Sequence, residues 1–481
     1  MKNLSVILSA FLAFVIGFFT YPISFLSSET TENFDIPSGA FSADKICFNG
    51  EETEISVDEN EMICDDGEIN LSSSFKINFI SPYCSWFNYF GLSYSSDSYL
   101  KGTIEYKAGV SDKKEEFFLE PCESPCKFYS FIDNCLDKTK ANAVCSLTFE
   151  PLNAEFATMK IYGFSVFNRE IPEREVYIEN SYYKLGVDLL WGGALSYLED
   201  LDSDVEAVSV DGKIKVDSNA SERYKTEAIN RNVNLINRFD AGRLVQQSYY
   251  GLGSGVYEPG EYSGNPWPYN PVQGGNQFND SSKIVDLRIE DDSLYVKCRP
   301  LDWSKPKEQI TPSYMESTYE FVDSTVHVSC RFVDFSGHGN TESRSQEIPA
   351  FYCIEPLNNF VYYSGDEPWT GGELSLVDDL IFWPDAGYPH YYSLENWAAF
   401  RGEFTDSFGI GLYIKNETEF LTGVFNRGLT VNSDPSRDAS TSYIAVTKDM
   451  VMKDFTPFEY DFYLTTGNAS EIRSNFDFVR S

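Results

Sequence analysis

The chain has 481 residues, long enough for two or three domains, and its 42% of hydrophobic residues argues against a wholly disordered protein. Against 74 Asp and Glu stand only 37 Lys and Arg, so the net charge is −37; this argues against nucleic-acid binding and against docking on an anionic membrane surface. Aromatic residues make up 16% of the chain and favour strands, which predicts an acidic all-β protein with a neutral or cationic partner.

The chain opens with an apolar run from Leu4 to Phe19, preceded by one lysine and followed by small polar residues. This pattern is typical of a secretory signal peptide, and an uncleaved N-terminal anchor is the alternative for residues 1–28. Either reading places the rest of the chain in a secreted, extracellular or lumenal location. Beyond this N-terminal segment, five Asn-x-Ser/Thr sequons agree with a secreted glycoprotein: Asn70, Asn219, Asn279, Asn416 and Asn468.

Residues 29–60 are acidic and poorly patterned, which predicts a linker. Seven of the ten cysteines fall between Cys47 and Cys145, and in a secreted chain this density indicates disulfide bonds with one thiol left over. A zinc site is the weaker alternative, because the region contains no histidine. Cys298 and Cys330 lie in alternating runs and could pair between neighbouring strands.

Residues 61–170 carry the first clear strand patterns. Apolar residues alternate with polar ones over 75–79, 100–106 and 162–166, as expected for strands with one buried face. We therefore predict a small, disulfide-stapled β-sandwich. The polar segment 168–175, with Pro172 in it, is the best domain boundary in the chain.

Residues 176–481 are predicted to form a second, larger β domain. Alternation over 285–289 and 294–298 flanks an acidic turn and predicts a hairpin. A second hairpin is predicted over 319–332. Helical periodicity is scarce, so the many strands suggest two broad sheets packed as a sandwich.

Three stretches of this second domain break the alternation and are rich in polar and aromatic residues. The predicted binding residues for sugar hydroxyl groups are Arg243, Gln246, Gln247 and Tyr249, whose side chains offer hydrogen-bond donors and acceptors. Aromatic side chains suited to stacking on a sugar ring are Trp267, Tyr269, Trp369 and Trp397. The alternative for both sets is a polar loop that satisfies and packs its own backbone and rings.

Glycoside hydrolysis commonly needs two carboxyl groups, one of them with a pKa raised by an apolar surrounding. Glu347 and Glu395 stand next to Gln, Pro, Asn and Trp residues and are the predicted acid and base or nucleophile, with Asp240 third. Structural or solvated carboxylates are the alternative reading, since the chain has 74 acidic residues.

The sequence lacks the motifs typical of catalytic metal sites and of nucleotide-binding sites. The chain has three histidines and neither a HExxH nor a GxSxG motif, so we predict no catalytic metal and no cofactor. The acidic segment 199–204 could supply oxygen ligands to a structural calcium ion, although a solvated run of charge explains it equally.

The segment from Tyr183 to Leu198, a strand that runs into Gly192-Gly193 and on into a second strand, resembles a known hairpin. It is similar to the opening hairpin of galactose mutarotase-like β-supersandwich domains, which occur in sugar epimerases and in several polysaccharide lyases and hydrolases. The resemblance implies a supersandwich fold and a carbohydrate substrate. Those epimerases use a catalytic histidine and a carboxylate, and no histidine of this chain matches that motif.

These observations together predict a secreted carbohydrate-active enzyme, a glycoside hydrolase acting on a neutral glycan or oligosaccharide. A polysaccharide lyase is one alternative, with Tyr249 as base and Arg243 neutralising a uronate carboxylate. The negative charge of the chain disfavours that anionic substrate. A glycan-binding or surface protein without enzymatic activity is the other alternative.

Overall fold

The protein is described by a computed structural model. It describes residues 34–481 except 40, 58–61, 64–66, 81–85, 203–205, 211–212, 218–227, 230–232, 252–256, 308, 339–342, 379, 381–388, 403–407 and 427–433. The predicted signal peptide or anchor, Cys64, Cys84 and Asn219 lie outside these residues. Within them, no helix is both long and apolar enough to cross a membrane.

The first part of the chain forms an 11-stranded sheet that folds over on itself. Its strands are β1 (Lys45–Phe48), β2 (Glu51–Val57), β3 (Met62–Ile63), β4 (Glu68–Leu71), β5 (Phe75–Phe79), β6 (Tyr89–Ser96), β7 (Leu100–Ala108), β8 (Ser111–Leu119), β9 (Cys122–Phe131), β10 (Ala143–Pro151) and β11 (Ala157–Phe167). They follow the order β3-β4-β11-β1-β2-β5-β10-β7-β8, while β6 pairs with β11 and β9 pairs with β6. A 3-10 turn covers Cys135–Asp137.

Aromatic side chains fill the space between the two halves of this first sandwich. Phe117 on β8 stacks on Phe128 of β9 with ring centroids 5.3 Å apart, and it meets Phe90 of β6 at 5.3 Å. The predicted alternation is visible in β5, where Phe75, Ile77 and Phe79 are buried and the residues between them are not. The high aromatic content is thus largely core material.

The segment 29–60, predicted as a linker, contributes β1 and β2 to this sandwich. Ile46 and Ile55 are buried, and β1 pairs antiparallel with β2 over Lys45–Phe48. The acidic residues that hide the pattern, such as Glu51 and Glu54, lie on the outer face or half-exposed. The short β1 is mostly buried and β2 is mostly exposed, so neither strand shows a clear alternation of apolar and polar residues.

The eight described cysteines are free thiols: Cys47, Cys122, Cys126, Cys135, Cys145, Cys298, Cys330 and Cys353. The suggested Cys298–Cys330 pair is wrong, because the two residues do not lie on neighbouring strands. Cys298 faces Met315, and Cys330 faces Ser317, so strand β25 (Ser313–Val322) lies between them. Two strand spacings amount to roughly 9–10 Å, beyond the Cα separation of about 7 Å that a disulfide tolerates.

The second part of the chain contains two large sheets. Its strands are β12 (Glu175–Glu179), β13 (Tyr183–Asp188), β14 (Ala194–Asp200), β15 (Glu206–Val210), β16 (Lys213–Asp217), β17 (Ala228–Ile229), β18 (Val245–Ser248), β19 (Gly260–Tyr262), β20 (Asn265–Trp267), β21 (Pro271–Val272), β22 (Lys283–Ile289), β23 (Ser293–Arg299), β24 (Leu301–Asp302), β25 (Ser313–Val322), β26 (Thr325–Asp334), β27 (Arg344–Ile354), β28 (Leu357–Tyr362), β29 (Ser375–Val377), β30 (His390–Tyr392), β31 (Trp397–Gly402), β32 (Gly409–Tyr413), β33 (Glu419–Phe425), β34 (Thr441–Met450) and β35 (Phe458–Gly467). A 3-10 turn covers Leu189–Trp191.

The ten-stranded sheet, here the cleft sheet, has the order β12-β13-β14-β18-β27-β34-β33-β30, with β21 on β18 and β24 on β21. The nine-stranded sheet, here the back sheet, has the order β22-β23-β25-β26-β35-β32-β31-β28-β29. Both predicted hairpins are present, as β22–β23 and β25–β26. The all-β fold class is therefore confirmed, whereas the disulfide staples stay a prediction.

The Tyr183–Leu198 segment forms the antiparallel hairpin β13–β14. Gly193 lies at its turn with a φ of +69°, and a Cβ atom there would stand 2.3 Å from Val296 on the back sheet. Only glycine allows both the left-handed backbone and this close approach of the two sheets.

Among the described residues there is one α-helix, α1 (Ala469–Arg480), which follows β35. Asn468 caps it: the side chain accepts hydrogen bonds from the N–H groups of Ser470 and Glu471, and Glu471 bonds back to the Asn468 N–H. Its buried residues Ile472 and Phe476 pack on the outer side of the back sheet, against Trp397 and its neighbours.

Candidate functional site

A cleft of about 240 Å³ opens on the cleft sheet, on the side away from the back sheet. Its floor comes from β18, β27, β33 and β34, and its wall from the loops before β18 and around β19–β24. The lining residues are Asp240, Gly242, Arg243, Gln246, Ser248, Tyr250, Tyr262, Trp267, Asn270, Val272, Trp303, Glu347, Ala350, Tyr352, Phe425 and Tyr443. Five predicted site residues meet here: Asp240, Arg243, Gln246, Trp267 and Glu347.

Strand alternation decides which residues of β18 reach the cleft. Gln246, Ser248 and Tyr250 line it. The residues between them point the other way, since Gln247 donates from Nε2 to the Oγ of Ser317 on the back sheet at 2.9 Å. A strand with a period of two sends neighbouring side chains to opposite faces.

Glu347 reaches the cleft because β27 carries a bulge. Its pairing with β34 shifts register between Glu347 and Ala350, and both of these residues line the cleft together with Tyr352. Without the extra residue, Glu347 would share the face of Phe351, which is fully buried. The bulge therefore turns a carboxyl group from the core towards the cleft.

The surroundings of Glu347 favour its protonated form. Burial raises the pKa of this carboxyl above its usual range, and hydrogen bonds from Tyr443 and Tyr250 offset part of that effect. The Tyr443 hydroxyl donates to Oε2 at 2.5 Å. A carboxyl group with a raised pKa at the edge of a cleft suits a general acid.

Asp240 and Arg243 stand together in the turn that leads into β18. Asp240 Oδ1 accepts hydrogen bonds from the N–H groups of Gly242 and Arg243 at 3.0 and 3.1 Å. Its Oδ2 lies 4.0 Å from Nη1 of Arg243. Within the described residues, this Nη1 has no hydrogen-bond acceptor, so Arg243 has a donor that a ligand in the cleft could use.

Aromatic rings flank the polar floor on two sides. One group runs from Tyr250 through Trp267 and Tyr262 to Trp303, with successive ring centroids 6.3, 5.0 and 5.7 Å apart. The other group is Tyr352, Tyr443 and Phe425, in which the two tyrosine rings lie 4.4 Å apart. Apolar ring faces around converging polar groups form the kind of surface that binds sugars.

Glu395 does not join Glu347, so the structure does not assemble the predicted catalytic pair. Glu395 is fully buried just before β31, on the back sheet, and forms an ion pair with Arg473 of α1. Its carboxylate also accepts from the Trp369 N–H at 2.6 Å and from Nε1 of Trp397 at 2.9 Å. All of its neighbours are structural.

Trp397 and Trp369 belong to the same structural cluster and not to the cleft. Trp397 is fully buried, and Trp369 packs at the edge of the core beneath α1. The guanidinium of Arg480 lies 4.7 Å from the Trp369 ring. Both predicted stacking residues therefore hold the C-terminal helix on the back sheet.

Tyr249 and Tyr269 are buried inside the second sandwich. The Tyr249 hydroxyl donates to Oε1 of Gln247 at 2.9 Å, and burial raises its pKa well above the ordinary value. The Tyr249 hydroxyl therefore holds its proton tightly, and Tyr249 is not among the residues that line the cleft, which contradicts its predicted role as the base of a lyase. Tyr269 donates to Oδ1 of Asp334 at 3.3 Å and is likewise buried.

Several lining residues were missed by the sequence analysis. Ser248 and Tyr250 could have been predicted, because strict alternation starting from Gln246 places them on the same face of β18. Tyr352, Phe425 and Tyr443 lie on three strands whose order in the sheet no local pattern reveals. Trp303 reaches the cleft only because β24 pairs with β21.

Within the described residues, no group of three or more His, Cys, Asp or Glu side chains is placed to hold a metal ion. The acidic segment 199–204 lies partly outside those residues, so the calcium site stays a prediction. Glu199, which is described, accepts from the Tyr197 hydroxyl at 2.6 Å.

The sequence matches no protein family and no curated protein. Three solved structures illustrate what its fold is similar to. A galactose mutarotase-related enzyme from Lactobacillus acidophilus aligns at 10% identity and a TM-score of 0.32, over 61% of this chain and 97% of that enzyme. The 4-alpha-glucanotransferase of Thermococcus litoralis aligns at 8% and 0.29, over 62% of this chain and 38% of that one.

The third is a polysaccharide lyase, at 11% identity and a TM-score of 0.29, over 62% of this chain and 34% of the lyase. This chain therefore spans little more than a third of the glucanotransferase and of the lyase. All three of these structures are named for proteins that act on carbohydrates. The weak resemblance to galactose mutarotase-like domains predicted from the hairpin is confirmed, at low identity and low TM-score.

Proposed function

We propose that the cleft binds a neutral glycan and hydrolyses a glycosidic bond, with Glu347 as general acid. The observation that carries the proposal is the position of Glu347, a carboxyl group with a raised pKa between two groups of aromatic rings. The charged lining residues are Asp240, Arg243 and Glu347. Because Asp240 and Arg243 offset each other, a neutral ligand suits the cleft better than an anionic one.

In the proposed reaction, protonated Glu347 donates its proton to the glycosidic oxygen as the bond from that oxygen to the sugar carbon breaks. Asp240 is the second carboxyl group. It either takes a proton from an attacking water molecule or attacks the carbon itself before water releases the sugar. The net change is one water molecule added across the bond, and Glu347 is reprotonated in each turnover.

A glycan-binding protein without turnover is the second candidate, and the contacts of Asp240 favour it. Its Oδ1 is occupied by two backbone N–H groups and its Oδ2 lies near Arg243, which is how a carboxylate that stabilises a turn is bonded. The same cleft would then hold the sugar through Arg243, Gln246 and the aromatic walls.

Location in a secreted or lumenal compartment is part of the proposal. The apolar N-terminal run and the sequons support it. Asn416 is exposed in a tight turn with a φ of +68°, an accessible position for an attached glycan.

The test is release of reducing ends from a panel of neutral polysaccharides, with wild-type protein, Glu347→Gln and Asp240→Asn. Loss of a general acid lowers turnover by about 10²–10⁴-fold, so Glu347→Gln should bind the glycan and turn it over at this reduced rate. Asp291→Asn, in the exposed β22–β23 turn, is the matched control that also removes one carboxylate. Binding without turnover by the wild type would favour the second candidate, and no binding at all would contradict both.

A further inference from the structure

Two exposed phenylalanines, here the rim pair, stand on loops beside the cleft: Phe239 and Phe278. Phe239 precedes Asp240 and is 47% exposed, and Phe278 is 58% exposed. A single exposed apolar side chain is ordinary on a protein surface. These two differ from an ordinary exposed ring because hydrogen bonds fix the backbone of both loops.

A buried asparagine fixes the backbone at Phe239. Asn237 is fully buried, and its Oδ1 accepts from the Phe239 N–H at 3.1 Å. Its Nδ2 donates to the carbonyl oxygens of Asp438 and Ser440, both at 3.0 Å. The loop is thus anchored to the segment before β34, and the Phe239 ring is presented from a rigid support.

A second buried asparagine performs the same task at Phe278. Asn276 is fully buried, and its Oδ1 accepts from the N–H groups of Phe278 and Asp280 at 3.0 and 3.1 Å. Its Nδ2 donates to the Lys305 carbonyl oxygen at 2.9 Å. Two unrelated loops therefore use the same device to hold a phenylalanine outward.

The two loops meet at the cleft. The Ala241 N–H donates to Oδ1 of Asn279 at 3.1 Å, so the residue two after Phe239 is bonded to the residue next to Phe278. The guanidinium of Arg243, which lines the cleft, lies 4.9 Å from the Phe239 ring. The rim pair is therefore continuous with the wall of the cleft that carries Asp240 and Arg243.

The size of the cleft indicates what would lie on the rim pair. Its volume of about 240 Å³ is below the range of about 300–1,000 Å³ typical of sites that enclose a drug-sized ligand. A cleft of this size encloses the end of a glycan, and the remaining sugar units of a longer chain would lie outside it, where the rim pair stands. Rigid, exposed aromatic rings are suited to stack on those units.

We propose that Phe239 and Phe278 form an outer subsite for the sugar units of an oligosaccharide that extend beyond the cleft. The inference rests on the proposed function, because it requires a glycan in the cleft. It adds that the ligand is a chain of several sugar units, recognised along its length, and not a monosaccharide.

The test measures binding of cello-, malto-, manno- and xylo-oligosaccharides of one to six units to full-length protein in the Glu347→Gln background, where turnover is suppressed. Affinity should rise with chain length. Phe239→Ala and Phe278→Ala should each weaken binding of the longest oligosaccharides by about 3- to 10-fold and leave the shortest ligands unchanged. Phe278→Trp should retain the length dependence, because it keeps an aromatic face.

Phe156→Ala is the matched control, since Phe156 is 70% exposed on the first sandwich. It should bind every ligand as the parent does, and thermal unfolding should show that all variants are folded. Binding of mono- and disaccharides without any gain for longer chains would overturn the outer subsite and leave the proposed function standing. Binding of none of the four series would contradict both.

Discussion

Glu347 is an ionisable group in a largely apolar surrounding. We therefore expect the free energy of unfolding to depend on pH through this residue. Since burial raises its pKa, the folded protein binds the proton more tightly than the unfolded chain. The resulting stabilisation is complete below the unfolded pKa and is lost as the pH rises through the folded pKa. At neutral pH the folded protein is therefore less stable than it would be with an uncharged side chain at this position.

We predict that Glu347→Gln raises the free energy of unfolding at pH 7, and that this gain shrinks as the pH falls towards pH 4. Urea denaturation at steps between pH 4 and pH 8 measures both. Asp291→Asn should show no comparable dependence on pH, since Asp291 is exposed. A constant difference between wild type and Glu347→Gln across this range would show that the carboxyl group has no raised pKa.

Glu395 represents the opposite case, a carboxylate whose partners are all structural. Glu395→Ala would leave Arg473, only 14% exposed, without its ionic partner. Breaking one side of a buried ion pair costs about 3–5 kcal/mol. We predict a loss of this size in urea denaturation, while glycan binding or turnover by the folded fraction stays at the wild-type level.

Replacing both partners, Glu395→Ala with Arg473→Leu, should cost less than the sum of the single changes because no buried charge is left unpaired. Loss of turnover in folded Glu395→Ala protein would instead restore this residue as a catalytic candidate.

The alternation of apolar and polar residues predicts some strands correctly and misplaces residues in others. Alternation predicted the hairpins β22–β23 and β25–β26, because apolar residues recur at every second position in these strands. In β18 the same rule separates Gln246 from Gln247, yet the residue types of the two are identical and only their phase differs. In β27 the bulge resets the phase, so Glu347 lies on the cleft face against the simple rule.

Strand β9 has a similar irregularity, and it brings two cysteines together. Cys126 faces Tyr94 and Cys122 faces Ser96, so the three residues between the cysteines stand against one residue of β6. The two Cα atoms are therefore about 6–7 Å apart, at the upper end of the range for a disulfide. Burial and a hydrogen bond with Cys126 raise the pKa of the Cys122 thiol to about 12.

We predict that oxidised glutathione joins Cys122 to Cys126, slowly, because little of the Cys122 thiolate exists at neutral pH. Peptide mapping without reduction should find the linked peptide. Closing so short a loop stabilises by about 2 kcal/mol, so Cys126→Ser should lose this amount in oxidised protein and nothing in reduced protein. Cys145→Ser serves as the control, and alkylation of both Cys122 and Cys126 after oxidation would contradict the prediction.

The molecule as a whole is more unified than its sequence suggests. The polar segment 168–175 marks the passage from one sandwich to the other, and residues 35–481 nevertheless form one compact unit. Phe118 of the first sandwich stacks on Phe335 of the second at 5.0 Å, and its N–H donates to the Tyr314 hydroxyl. In the sequence these are ordinary strand residues, and nothing local shows that they belong to a shared core.

Polar contacts reinforce this shared core. The Arg331 guanidinium bonds Glu120 at 2.6 and 2.8 Å and also pairs with Glu316 at 3.0 Å. Lys283, buried in the second sandwich, pairs with Glu115 of the first. Separating the sandwiches would expose apolar surface and would take Glu120 away from Arg331 and Glu115 away from Lys283, so neither sandwich should be stable alone.

We predict one cooperative thermal transition for residues 35–481, with calorimetric and van't Hoff enthalpies that agree. Arg331→Met should lower the free energy of unfolding by about 1–3 kcal/mol without splitting the transition, because it leaves Glu120 without its ion pair at the junction, while Lys297 still pairs with Glu316. Arg437→Met, at an exposed pair with Asp434, is the matched control and should change stability by less than about 1 kcal/mol. Two separate transitions in the wild type, or an isolated second sandwich as stable as the whole chain, would show that the junction is a contact between independent domains.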